Sequence, residues 1–151
     1  MTWKKLLASK DVQKHKTSRQ ELDNMRALIA RDLADAAVKG LSADRRFATA
    51  YNAALQAANM ATACAGYRVT SMAGHHKISI ESARLALGPA ADNYAAYFET
   101  CRRKRNVIDY THSNVATETE AKEILIKATE FYELVQAWIA KNHALMKKWN
   151  I

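Results

Sequence analysis

The sequence predicts an all-α protein, an antiparallel bundle of four to five helices. Three observations lead there. Only four glycines and one proline punctuate 151 residues. Alanine is abundant while β-branched and aromatic residues are sparse, a composition that favours helices over strands. Apolar residues recur at steps of three and four between regularly spaced capping signals. The length is close to the commonest domain size, so residues 1–151 read as one domain around one core.

The first seventeen residues read as a basic arm or short helix, because residues 1–19 carry six Lys or Arg against a single Asp. Ser18-Arg19-Gln20-Glu21 is a capping-box pattern: the serine oxygen accepts from an early backbone N–H and the glutamate reaches back to the cap. Leu22, Met25, Ile29, Leu33 and Ala36 then form one stripe, and Gly40 supplies a stop. Ser42 or Asp44 caps the next helix, which runs to about Gly66. Its ten alanines keep side-chain volume low, so another backbone can approach closely, with Phe47, Tyr51 and Leu55 as larger packing residues. This helix is expected at the centre of the bundle, and the polar residues scattered along it are read as ordinary helix surface.

GYRVTSMAGHHKIS, with Gly66 and Gly74, reads as a connection, followed by a short helix over roughly 76–87 and a break at Gly88-Pro89. Proline suits the first turn of a helix, and no breaker follows Pro89 for more than five turns. THSNVA is then a loop, and Thr117-Glu118-Thr119-Glu120 a second capping box. The last long helix is expected to bury Ala121, Ile124, Ala128, Phe131, Val135 and Trp138.

Several function classes are excluded by what the chain lacks. Cys64 and Cys101 are too few and too far apart for a disulfide framework or a zinc site, and read as small buried thiols. Adjacent His75 and His76 diverge by about 100° on a helix, and no Cys or acid stands nearby at zinc spacing. Neither metal nor cofactor is therefore expected; the pair reads as helix-start or surface residues that can, with Arg68, widen an anionic-ligand site. There is no Gly-rich phosphate loop, no nucleophilic Ser or Cys motif and no paired-carboxylate site. No apolar stretch approaches the ~20 residues that span a bilayer, and the apolar run at the start is too short for a signal peptide, so a soluble, cytoplasmic protein is expected. The net charge of +8 favours polyanions through counterion release, with nucleic acid, nucleotides or acidic proteins as partners.

One stretch breaks the pattern. Residues 101–112 read CRRKRNVIDYTH. At about 100° per residue, Tyr94, Phe98, Cys101, Arg105, Ile108 and His112 share a single stripe of the helix that follows Pro89. Four of these belong in a core; Arg105 and His112 do not. An unpaired guanidinium against a core is costly, so Arg105 must snorkel, pair with a carboxylate such as Asp109 four residues on, or lie where the bundle opens onto a second subunit or a ligand. Arg103, Asn106 and Tyr110 share another side of the helix, a guanidinium, an amide and a phenol suited to phosphate or base.

Arg105-Asn106, followed after five more residues by His112, resembles the signature of the HEPN superfamily, an arginine, a polar residue and a histidine on one helix of a small bundle. The order FATAYNAALQAA, GYR, GHH, RRKRNVIDY and the capped acidic helix with EFYELVQAWI is similar to compact stand-alone HEPN proteins of bacteria and archaea over roughly residues 18–140. The resemblance implies a metal-independent endoribonuclease of toxin or defence type. It implies a homodimer whose signature helices face one another, with Arg105 and His112 turned toward the second copy.

Metal-free RNA cleavage needs a base for the 2′-hydroxyl proton, an acid for the leaving 5′-oxygen and fixed positive charge at phosphorus. In the implied roles His112 moves protons, Arg105 stabilises the phosphorane, and Asn106 orients the phosphate or the arginine. Arg102, Arg103, Lys104 and Tyr110 would bind RNA or nucleotide, and the implied partners are RNA, a second copy, and a cognate nucleotidyltransferase or antitoxin protein. The spacing carries an alternative. His112 stands at the long limit of the signature, whereas Tyr110 stands at its commoner spacing, and a phenol with an ordinary pKa near ~10 is a poor base at neutral pH. With Tyr110 in the histidine's place, the same resemblance implies a non-catalytic module that binds a nucleotide or a nucleotidyltransferase.

Overall fold

Side-chain caps set most of the helix starts. Thr2 accepts from the Lys5 N–H and opens α1 (Trp3–Ala8). Ser18 accepts from the Glu21 N–H at 3.1 Å and opens α2 (Arg19–Ala36), and Ser42 accepts from the Arg45 N–H at 3.1 Å and opens α3 (Ala43–Cys64). Then come α4 (His75–Leu87) and α5 (Asp92–Tyr110), and α6 (Glu118–Asn142) begins at a complete Thr117/Glu120 capping box. The computed structural model describes residues 1–70, 74–110 and 114–148, with residues 109 and 110 described through their backbone alone. The expected bundle is therefore present.

Local differences from expectation have local causes. The box expected at Ser18 is half formed, because the Glu21 carboxylate turns away from the cap to His15 Nε2 at 2.7 Å and Thr17 Oγ1 at 2.8 Å. Of the two candidate caps for α3 it is Ser42 that serves. Asp44 instead accepts from the N–H groups of Val115 and Ala116 at 2.9 and 2.7 Å, fixing the approach to α6. Gly88 ends α4 at φ 79°, a left-handed conformation that glycine adopts without steric cost. Pro89 then starts a 3₁₀ turn, Pro89–Ala91, since the Gly88 carbonyl is taken by the Ala91 N–H at 3.0 Å; the α-helix proper begins only at Asp92.

A two-stranded ribbon stands outside the all-α expectation. β1 (Val12–Lys14) pairs antiparallel with β2 (Tyr67–Val69), placing Val12 opposite Val69, Gln13 opposite Arg68 and Lys14 opposite Tyr67. Three-residue strands are too short to show a period-two pattern. The ribbon ties down the basic N-terminal arm. Val12 and Leu6 are buried, and the Trp3 ring stacks on Tyr67 with centroids 4.2 Å apart.

α3 lies at the centre and touches α2, α4, α5 and α6. Ala50, Ala53, Ala57, Ala58 and Ala61 are all buried along it, which is how its neighbours come close. On α6 the buried residues are Ala121, Ile124, Ala128, Phe131, Val135 and Ile139; Trp138 packs at the margin of the core, its ring against His143. Burial pushes the thiols of both Cys64 and Cys101 up to about 11, so they remain protonated near neutrality. Among the described residues no helix is long and apolar enough to cross a membrane.

Candidate functional site

The apolar stripe of α5 forms as its spacing demands. Phe98 and Cys101 are buried, and Tyr94 and Ile108 pack against the same core. Arg105 continues that stripe and is half-buried. Its Nη2 donates to Asn52 Oδ1 on α3 at 3.2 Å, and its guanidinium carbon stands 5.9 Å from the centroid of the Tyr51 ring, within cation–π range. Two residues of the central helix thus hold the guanidinium from behind. His112 lies outside the described residues, as do the side chains of Asp109 and Tyr110, so the expected Arg105–Asp109 pairing lies outside them too.

In front of Arg105 is an open cleft of about 430 Å³. Arg102, Arg105 and Asn106 of α5 form one wall, and Gly74, His75, His76 and Lys77 at the start of α4 form the other. Helical geometry explains the selection. At about 100° per residue, positions 102, 105 and 106 fall within about 100° of arc, whereas 104 lies nearly opposite. Asn106 lies angularly between Arg102 and Arg103, so it keeps the side expected for it with Arg103 and also reaches the cleft lining. Arg103 is exposed outside the cleft lining, and Lys104 is held by Glu120 of α6.

The electrostatics of the cleft are cationic and partly neutralised by one acid. Arg102 donates through Nε and Nη2 to the Glu99 carboxylate, the closest contact being 2.8 Å. Those hydrogen bonds hold the Glu99 carboxyl below its ordinary value against partial burial, helped by the charges of Arg102, Lys77 and Arg103. The pair holds Arg102 in the cleft lining. Behind the cleft, burial pushes the Tyr51 phenol well above its ordinary range despite the nearby charges of Arg105 and Arg102. Tyr51 is thus a neutral ring against the guanidinium. His76 stands beside it, ring centroids 5.9 Å apart, and packs edge-on against His75 at 4.4 Å.

The arrangement can hold a phosphate. A guanidinium is a donor group suited to phosphate oxygens, and an amide and a second arginine line the same cleft. Two imidazoles, His75 and His76, stand on the facing wall. Among the described residues no cluster of His, Cys, Asp and Glu could hold a metal ion.

Sequence reading missed one contributor. Asn52 sits in the alanine-rich helix, where polar residues were taken as surface. His76, read from sequence as a helix-start or surface residue able to widen an anionic-ligand site, lines the cleft in front of Arg105. A signal for the missed residue was available: Asn52 and Asn59 stand seven residues apart, on one face of a helix otherwise lined with alanine.

The chain matches no curated protein and no solved structure. Residues 37–136, well over half of the chain, match the family described as HEPN_SAV_6107-like HEPN. That span includes all of α3, α4 and α5, and therefore both walls of the cleft. The protein whose central helices build this cationic cleft thus belongs to the HEPN family, in its SAV_6107-like group.

Proposed function

We propose that this HEPN protein is a metal-independent endoribonuclease of toxin or defence type, acting on cytoplasmic RNA as a homodimer whose two clefts join. The observation that carries the reading is Arg105, a charged residue on an apolar stripe, braced by Asn52 and Tyr51 at the wall of an open cleft. In the reaction the 2′-oxygen attacks the adjacent phosphorus while the bond from phosphorus to the 5′-oxygen breaks. His112 takes the 2′-hydroxyl proton, and an imidazole supplied by the second copy protonates the leaving oxygen. Arg105 holds two non-bridging oxygens as charge accumulates on them, and Asn106 with Arg102 keeps the phosphate in place. The products carry a 2′,3′-cyclic phosphate and a 5′-hydroxyl.

One observation favours a second reading. α5 extends to Tyr110 and that residue, at the commoner signature spacing, closes the helix. A phenol there makes the same cleft a binding site for a nucleotide or for a partner nucleotidyltransferase or antitoxin. Product chemistry separates the two. With EDTA present, the ribonuclease reading expects RNA fragments ending in 2′,3′-cyclic phosphate. His112→Ala is expected to slow their appearance by at least about a hundredfold while RNA binding persists. RNA that is bound but left intact by the wild-type protein, or cut equally well by His112→Ala, overturns the catalytic reading.

A further inference from the structure

A second cleft, of about 310 Å³, opens on the other side of His75. It is built from elements that the signature does not involve. The β-ribbon contributes Tyr67 and Arg68, the N-terminal arm contributes His15, α2 contributes Glu21, and α3 contributes Asn59. His75 lines both this cleft and the one in front of Arg105. The two are therefore neighbours.

Its chemistry is that of a nucleotide site. Asn59 Oδ1 is buried and has no hydrogen-bond partner among the described residues. An amide pairs a donor with an acceptor and matches the edge of a base, and leaving its oxygen buried without a partner is unfavourable. The Tyr67 ring, braced from behind by its stack on Trp3, gives a rigid aromatic wall. Arg68 is exposed at the mouth and His75 stands on the opposite element, so a phosphate has a cationic partner there. Glu21 is the one acid. Burial pushes its carboxyl up, but hydrogen bonds from His15 and Thr17, with the charges of His15 and Arg68, outweigh burial and hold it below its ordinary value. Its Oε1 is held by His15 and Thr17. The volume is at the small end of ligand pockets, which suits one nucleoside.

The spacing of the two clefts fits a strand of RNA. Asn52, which braces Arg105, and Asn59 lie seven residues apart on α3, hence on one face and about 10.5 Å apart along the axis. That is the length of about three stacked nucleotides at about 3.4 Å each. We propose that the second cleft takes a nucleotide, its base edge on Asn59 and its phosphate on Arg68 and His75, and that in the ribonuclease this is the base-selecting subsite a few nucleotides from the scissile bond. The last clause rests on the ribonuclease reading; the nucleotide site does not.

The experiment measures equilibrium binding of RNA oligonucleotides made uncleavable by 2′-O-methyl groups and varied at one position, and of the four ribonucleoside 5′-monophosphates. Wild type is compared with Asn59→Ala, Arg68→Ala and Arg105→Ala, each checked for an unchanged helical spectrum. Wild-type protein is expected to prefer one base at one position by about tenfold. Asn59→Ala is expected to erase that preference. Arg68→Ala, an exposed change on the ribbon that leaves the core intact, is expected to weaken every oligonucleotide by a similar factor, and Arg105→Ala to weaken binding without altering the preference. Monophosphate binding that survives Arg105→Ala and is lost in Asn59→Ala identifies a free nucleotide as the occupant. Equal base preference and equal affinity in wild type, Asn59→Ala and Arg68→Ala overturn the site. A protein that cuts no RNA yet shows the Asn59-dependent preference retains this site and loses the ribonuclease reading.

Discussion

On the ribonuclease reading, replacing Arg105 with alanine is expected to lower RNA cleavage by about a hundredfold or more, the largest effect expected of any residue in the described cleft. A guanidinium held by Asn52 at 3.2 Å and seated on the Tyr51 ring is already in place before substrate arrives. Charge developing on the phosphorus oxygens then meets a donor that need not reorganise, which is where electrostatic stabilisation is strongest. The same change removes about one phosphate contact, so the slope of log affinity against log salt becomes shallower by about 0.7 for single-stranded RNA. The fold is expected to tolerate the loss, because a half-buried hydrogen bond such as that to Asn52 contributes only about 1 kcal/mol. Arg105→Lys keeps the charge without the planar fork, and is expected to recover binding more than cleavage. Single-turnover rates and binding at several salt concentrations check these outcomes. Cleavage that survives Arg105→Ala removes that side chain from the chemistry.

Arg26→Ala is expected to lower the unfolding free energy by about 3 kcal/mol and the melting temperature by roughly 10 °C, read by thermal and denaturant unfolding. Arg26 is 5% exposed, four residues after Leu22 and three before Ile29 on the core face of α2. It donates through Nε to Gln136 on α6 at 2.9 Å, through Nη1 to Asp23 at 2.6 Å and through Nη2 to the Met146 carbonyl at 2.6 Å. Gln136 in turn donates to the Tyr132 hydroxyl at 3.1 Å. One guanidinium therefore ties α2, α6 and the 3₁₀ turn Ala144–Met146 together. Truncating it leaves the half-buried Gln136 amide oxygen and the Met146 carbonyl without their donor, and a void where the side chain lay. Since Arg26 lines neither cleft, RNA affinity of the folded variant is expected to be unchanged.

The two arginines show what the sequence could and could not reveal. Both sit on apolar stripes, and stripe position is legible because helical periodicity is a local property. Their fates are not. Arg26 finds partners 110 and 120 residues away, and Arg105 finds one 53 residues away. No local pattern encodes such distances. The same distinction runs through the fold. Ser18, Ser42 and Thr117 act on backbone within three residues, and each caps a helix as its spacing predicts. The β-ribbon pairs Val12 with Val69 through strands of three residues, too short for pattern and too far apart for a hairpin signal.

Within the candidate site, the convergence of Arg102, Arg105 and Asn106 follows from helix geometry once the helix is known. The wall they face does not, because it depends on how α4 crosses α5. The adjacent histidines were visible as a pair, but only the packing of α4 sets His76 beside Tyr51, the ring that Arg105 also approaches.

The most direct test observes the Arg105 guanidinium during binding. Its Nε–H resonance, assigned by its disappearance in Arg105→Lys, can be followed by nitrogen-15 NMR as a 2′-O-methyl RNA is added. A phosphate seated in the cleft predicts a saturable shift of that resonance with the same midpoint as binding. RNA that shifts the lysines of the N-terminal arm and leaves the Arg105 resonance in place contradicts the account.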